Sequence, residues 1–250
     1  TRFTARASGE VDMLARNTTW TFSRDVDLGF EFVGVNYYDG QGFMVPADLG
    51  VSSATELDGA TVCIQTGTTT ELNLADYFRA NGMSYEPVPI ETNAEAQQKY
   101  LAGACDVYTT DASGLAATKA TFENPAGHVV LPEIVSKEPL GPLVRHGDNQ
   151  WGDIVRWTLN ALITAEELGV TSGNMADMAA NGSPEVKRLL GSEGDLGAML
   201  GLDNQWAMRA IGVEGNYGEI FTTHITPIGL DRGVNNLWTN GGILYTPPFR

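Results

Sequence analysis

Between residues 60 and 135, short apolar runs alternate with stretches whose apolar residues recur at helical spacing. Thr61–Gln65, Ser84–Ile90, Asp106–Thr110 and Val129–Leu131 read as strands. Segments 70–80, 94–102 and 113–121 read as helices, and Asn81-Gly82 and Gly103 close the first two. This alternation predicts a parallel sheet with helices on both faces, since strands buried on both sides appear as short apolar runs. Before it, residues 1–10 read as the end of a helix stopped by Gly9, and Val11–Ala15 reads as a strand. Residues 31–46 carry two β-rich pieces around the turn pair Asp39-Gly40.

The pattern changes at Asp148. Ile154, Val155, Trp157, Leu159, Leu162 and Ile163 recur at helical spacing, with Asp148 or Asn149 as the cap and Gly169 as the stop. Further helical pieces are expected at 183–191, 194–200 and 203–211. The tail, 226–250, is rich in Gly, Pro, Asn and aromatics.

Composition narrows the function. With 250 residues, 42% of them hydrophobic, the chain can bury one large core or two smaller ones. Acidic residues outnumber basic ones 31 to 15, a net charge of −16, which repels phosphate backbones and anionic membranes. No nucleic-acid partner is expected. No run of about 18 apolar residues exists to span a membrane. The opening TRFTARASGEVDMLARN lacks the apolar core of a signal peptide and reads like the interior of a chain, so a processed or truncated product is expected. The three histidines are scattered and neither cysteine has metal-ligand spacing; no metal and no cofactor are expected. Cys63 and Cys105 are either two core thiols or one disulfide between neighbouring strands.

Three stretches carry candidate chemistry. In GATVCIQTGTTTELNL, a strand runs into Thr66-Gly67 and three threonines before a helix. Ligands collect at the carboxyl ends of strands in α/β sheets, and a helix start presents N–H groups and partial positive charge. An anionic group fits there; the plainer alternative is that Thr69 or Thr70 only caps the helix. Asp111, at the carboxyl end of Val107–Thr110, suits an ammonium group or else caps the next helix. The stretch Asn17–Arg24 ends in an arginine whose planar fork suits a carboxylate; the alternative is a solvated arginine near Asp25 and Asp27. An anion cradle beside a carboxylate suits a zwitterion. There is no G-x-S-x-G, no phosphate loop and no cysteine with a histidine nearby, so no catalytic set emerges.

Taken together, G-E-V-D, N-T-T-W-T-x-x-R, G-F-M-V, L-D-G-A-T-V-C-I-Q-T-G-T-T-T-E and C-D-V-Y-T-T-D resemble the solute-binding family 3 proteins of polar amino acid ABC transporters. The segments EPLGPLVRHGDNQW and RGVNNLWTNGGILYTPPFR fit its general L-amino-acid-binding branch. The resemblance implies a type II periplasmic-binding-protein-like α/β fold of two lobes: 1–47 and 139–250 in lobe one, 48–138 in lobe two, with hinges near Gly42–Ala47 and Pro139–Arg145. It implies a periplasmic carrier, not an enzyme, made with a signal peptide in its precursor. Its partners would be a free L-amino acid and a membrane permease. Arg24 would clamp the ligand carboxylate, with Thr19 beside it and the Asn17 carbonyl accepting from the ammonium. Thr68 and the Thr69 N–H would hold the carboxylate from the second lobe, and Asp111 the ammonium. An oxidising compartment favours a Cys63–Cys105 disulfide. Family members carry a further strand–helix–strand stretch ahead of the position of Thr1. Lobe one is therefore expected to be incomplete, and its open sheet edge would favour a homodimer. The alternatives on this scaffold are a periplasmic enzyme of the cyclohexadienyl dehydratase type and a sensor domain.

Overall fold

The computed structural model describes residues 2–250; Thr1, at the start of the helix expected over 1–10, lies outside them. The chain divides into two compact units, one made of the chain up to Tyr37 with Leu140–Arg250, the other of Tyr38–Pro139. In order, the first part carries α1 (Arg2–Ser8), α2 (Phe22–Val26) and β1 (Phe30–Phe32), and crosses through β2 (Tyr37–Asp39). The second unit then runs β3 (Gln41–Pro46), β4 (Thr61–Gln65), α3 (Thr69–Ala80), β5 (Glu86–Ile90), α4 (Asn93–Leu101), β6 (Val107–Asp111), α5 (Ala112–Ala120) and β7 (His128–Val130). The chain returns through β8 (Glu138–Leu140), which pairs with β2. It ends with β9 (Leu143–Arg145), α6 (Asn149–Glu167), α7 (Met175–Asn181), α8 (Pro184–Leu190), α9 (Leu196–Met199), α10 (Trp206–Glu214) and α11 (Tyr217–His224).

The second unit is a five-stranded sheet in the order β5-β4-β6-β3-β7. Its core follows from strand alternation. Phe43, Val45, Val62, Ile64 and Val107 point to one face, where Leu74 and Phe78 of α3 cover them. Met44, Cys63 and Tyr108 point to the other, against Ala96 and Tyr100 of α4 and Leu115 of α5. The sheet is mixed, which corrects the parallel sheet expected from sequence. Strands β4, β5 and β6 are parallel, while β3 is antiparallel to both β6 and β7. Strand–helix–strand units fix the direction only of the strands they join, and β3 lies before the first of them. Gln41–Pro46, assigned from sequence to the first lobe, is thus an inner strand of the second unit.

In the first unit, β1 pairs antiparallel with β9, Phe30 opposite Arg145 and Phe32 opposite Leu143. The strand expected over Val11–Ala15 reduces to a single bridge, Leu14 to Leu143. A helical core gathers Ala161 and Ala165 of α6, Val186, Leu189 and Leu190 of α8, Ala207 and Ile211 of α10, and Phe249 from the tail. Gly141 is required by contact. A Cβ there would lie 2.0 Å from the carbonyl oxygen of Gly34.

Candidate functional site

In the first unit, residues 14–19 run alongside 140–143. Leu14 bridges Leu143, the Gly141 N–H donates to the Thr18 carbonyl at 3.2 Å, and Thr19 bridges Leu140. Thr18 and Thr19 are buried. The chain then turns into α2, whose cap is Thr21, accepting from the Arg24 N–H at 3.3 Å. This places Arg24 one turn into the helix with its side chain folded back. Nη1 donates to the Thr19 carbonyl at 3.0 Å, and the guanidinium lies 5.2 Å from the Phe3 ring centre. The solvated-arginine alternative does not describe it. The Asn17 carbonyl accepts from Arg2 Nη1 at 2.6 Å. Trp20 stacks on Phe32, with ring centres 5.5 Å apart.

In the second unit, parallel β4 and β6 are neighbours, so their carboxyl ends share one edge. The turn after β4 needs Gly67 at φ 70°. Thr68 is the cap of α3. Its hydroxyl accepts from the Glu71 N–H at 3.3 Å and donates to the Gln65 carbonyl at 2.7 Å. Capping therefore falls to Thr68, not to Thr69 or Thr70, and its hydroxyl is engaged on both sides. Thr69 is the first residue of α3, at the positive end of the helix dipole. Its hydroxyl donates to Glu138 Oε2 at 3.1 Å.

Asp111 stands at the cap position of α5 but makes no capping bond with its side chain. It is 7% exposed, so the cap alternative fails on geometry. Gln41 ties the two halves of this edge together. Its backbone is opposite Asp111, and Nε2 donates to the Thr70 carbonyl at 3.2 Å and to Thr109 Oγ1 at 2.9 Å. Burial and the Asp111 charge push the Tyr108 phenol up to about 12. Among the described residues, no group of three or more His, Cys, Asp or Glu side chains is placed to hold a metal ion. Cys63 and Cys105 are bonded, with Cα atoms 5.6 Å apart. Cys105 lies just before β6, at the sheet edge away from Thr69.

The structure thus gathers Asn17, Thr19 and Arg24 on one segment of the first unit, and Thr68, Thr69 and Asp111 on one edge of the second. Sequence reasoning missed Gln41, Asp39 and Glu138. Glu138 follows Ser136 and Lys137, with Glu133 close by, so the local sequence reads as an ordinary polar turn and carried no signal for it.

No family model matches the chain. It is 65% identical to the glutamate/glutamine/aspartate/asparagine-binding protein of Rhodobacter capsulatus, over all of this chain and 75% of that protein. It is 57% identical to the general L-amino acid-binding periplasmic protein of Rhizobium johnstonii, over all of this chain and 74% of that protein. A solved ABC transporter periplasmic binding protein from Brucella ovis, with glutathione bound, matches at TM-score 0.97 and 54% identity, covering all of this chain and 80% of its own. An ancestral arginine-binding protein at 23% identity and TM-score 0.53, covering 75% of this chain and 73% of its own, shares the fold alone.

The fold is that of the type II periplasmic binding proteins. At these identities the chain belongs to the family of periplasmic amino-acid-binding proteins of ABC transporters.

Proposed function

We propose that this chain captures a free L-amino acid of the acidic or amide class in the periplasm and presents it to an ABC transporter permease, without turning it over. The observation that carries the reading is the edge of the second unit. There Asp111, buried and not spent on capping, stands beside the dipole end of α3 at Thr69. That pairing of negative and positive ends suits a zwitterion. Arg24 supplies the carboxylate clamp, Thr19 and the Asn17 carbonyl flank it, and Thr68 shapes the turn through which Thr69 offers its N–H. The relative from Rhodobacter capsulatus is named for four such amino acids. The homodimer expected from sequence has no support among the relatives and is not part of this proposal.

A second reading, a γ-glutamyl peptide as ligand, is favoured by the glutathione in the Brucella ovis structure. It keeps the same α-amino acid head and differs only beyond the side-chain carboxyl.

Native mass spectrometry with the twenty amino acids and glutathione separates the two. Binding of glutamate, glutamine, aspartate or asparagine, with the mass of the ligand unchanged after incubation, supports the carrier. Arg24→Ala and Asp111→Ala should each weaken that binding by about 3–5 kcal/mol, because each leaves a buried ligand charge unmatched. Product formation would overturn the carrier reading in favour of an enzyme.

A further inference from the structure

We propose that Glu138 is the positioning residue of the ligand site, acting through Thr69; this rests on the reading just given. Glu138 is 1% exposed and lies on β8, the strand by which the chain leaves the second unit. A carboxylate out of water is costly unless donors fill its lone pairs. Three do. Thr69 Oγ1 donates to Oε2 at 3.1 Å, Asn73 Nδ2 to Oε1 at 2.7 Å, and Ser136 Oγ to Oε1 at 2.8 Å. Ser136 Oγ in turn accepts from the Gln41 N–H at 3.1 Å, opposite Asp111.

Two of the donors sit one turn apart on α3, so the carboxylate grips the start of that helix at two points and fixes it to β8. A carboxylate accepts only, so the Thr69 hydroxyl must point its hydrogen at Glu138. Thr69 is left to meet an anionic ligand group with its backbone N–H, held in place by the grip on its side chain. The acid is thereby assigned to aiming the ligand-binding turn, not to touching the ligand.

Glu138→Gln keeps the shape but replaces one acceptor oxygen with an N–H₂ group that faces a donor. It should weaken L-glutamate binding about tenfold, the worth of one charge-assisted hydrogen bond. Thr69→Val removes the hydroxyl and keeps the N–H, and should weaken binding similarly; Thr69→Ser should restore it. The double variant Glu138→Gln/Thr69→Val decides the matter by calorimetric titration. Binding no weaker than the weaker-binding single variant supports action through Thr69. Losses that multiply, or wild-type affinity in Glu138→Gln, overturn it. Hydrogen exchange of the unliganded protein gives a second readout. Glu138→Gln should speed exchange in the first two turns of α3, and unchanged exchange there overturns the proposal even if the wild type binds no amino acid. That last result, wild type without any amino-acid ligand, would defeat the proposed function instead.

Discussion

Asp39 in the second unit and Glu219 in the first are each held by three donors of matching kind. Asp39 accepts from the Gly40 N–H at 2.8 Å, the Ser113 N–H at 3.3 Å and the Ser113 hydroxyl. Glu219 accepts from the Asn216 N–H at 2.8 Å, the Ser172 N–H at 3.0 Å and the Ser172 hydroxyl at 2.7 Å. Their carboxyls nevertheless shift in opposite directions. Burial pushes Asp39 up, the donors fail to offset it, and the charge of Glu138 adds to the rise. Burial also pushes Glu219 up, but there the donors win and the carboxyl ends below its ordinary value. The number of hydrogen bonds does not decide the sign; the water lost does. The second unit draws Asp111 and Glu138 in at the edge proposed to hold the ligand, where charge has a use. Glu219 of the first unit is spent on a helix end.

The largest break in this contrast comes from covalent chemistry. The second unit is closed by Cys63–Cys105, which spans 42 residues. Replacing both with serine should cost about 4 kcal/mol on the loop-entropy model, read by urea unfolding. Accelerated hydrogen exchange should be confined to the sheet of the second unit. The first unit has a charge lock in the comparable role. Arg232 grips Glu166 through two bonds of 2.9 and 3.1 Å and lies over the rings of Tyr217 and Phe221, 5.3 and 5.0 Å from their centres. The two side chains are 21% and 16% exposed. Arg232→Met should therefore cost about 2 kcal/mol, less than the cost of breaking a fully buried pair. Exchange should speed in α6 and α11 and not in the sheet. A loss in the sheet would show that the two units do not keep their stabilities apart.

The same contrast explains what the sequence disclosed. The strands and helices of 61–130 were legible because each buried face belongs to a short contiguous run. Val62 and Ile64 go to one face and Cys63 to the other, and α3 and α4 each have a threonine cap and a glycine just past the end. The direction of β3 was not legible, because its partners β6 and β7 lie far along the chain. In the first unit, α6 was legible from its apolar spacing and from Asp148, which accepts from the Trp151 N–H at 3.2 Å. Helices α7 and α11 were not: α7 is only seven residues long and its stripe is just Met175, Met178 and Ala179, and the capping box of Asn216 and Glu219 went unread. At the site, Asp111 and the threonine turn could be put on one edge because both follow strands of one parallel pair. Glu138 could not, since its donors Thr69 and Asn73 lie 69 and 65 residues away in the chain and only folding brings them to it. Spacing alone left the cysteines ambiguous; the family resemblance favoured their disulfide, and the adjacency of β4 and β6 bears it out.

Smaller effects sharpen the comparison from the first unit's side. Glu219→Gln weakens the capping box of α11 and should cost about 0.5–1 kcal/mol at pH 7. Because the folded carboxyl lies below its ordinary value, its contribution is present above the unfolded value, about 4.3, and is lost as pH falls through the folded one. The gap between wild type and variant in urea unfolding should close on acidification.

Asp39→Asn should give the smallest effect, with the opposite sign. The folded carboxyl is raised, so the native state binds its proton more tightly than the unfolded chain, whose value is about 3.9. Stability from this group is greatest in acid and declines as pH rises through the folded value. At pH 7 the charged, desolvated carboxylate opposes folding. Asparagine keeps an acceptor for Ser113 and Gly40 without the charge. The variant should be as stable as wild type or more so at pH 7, by roughly 0.5 kcal/mol, because the lost hydrogen-bond strength nearly offsets the relieved desolvation. Wild type should gain on the variant as the pH is lowered towards 4, which is the reverse of the Glu219→Gln trend. Parallel pH series of the two variants test the comparison directly. If Asp39→Asn loses more than about 1 kcal/mol at pH 7, its three donors outweigh desolvation after all, and the contrast between the units fails at the residue that defines it.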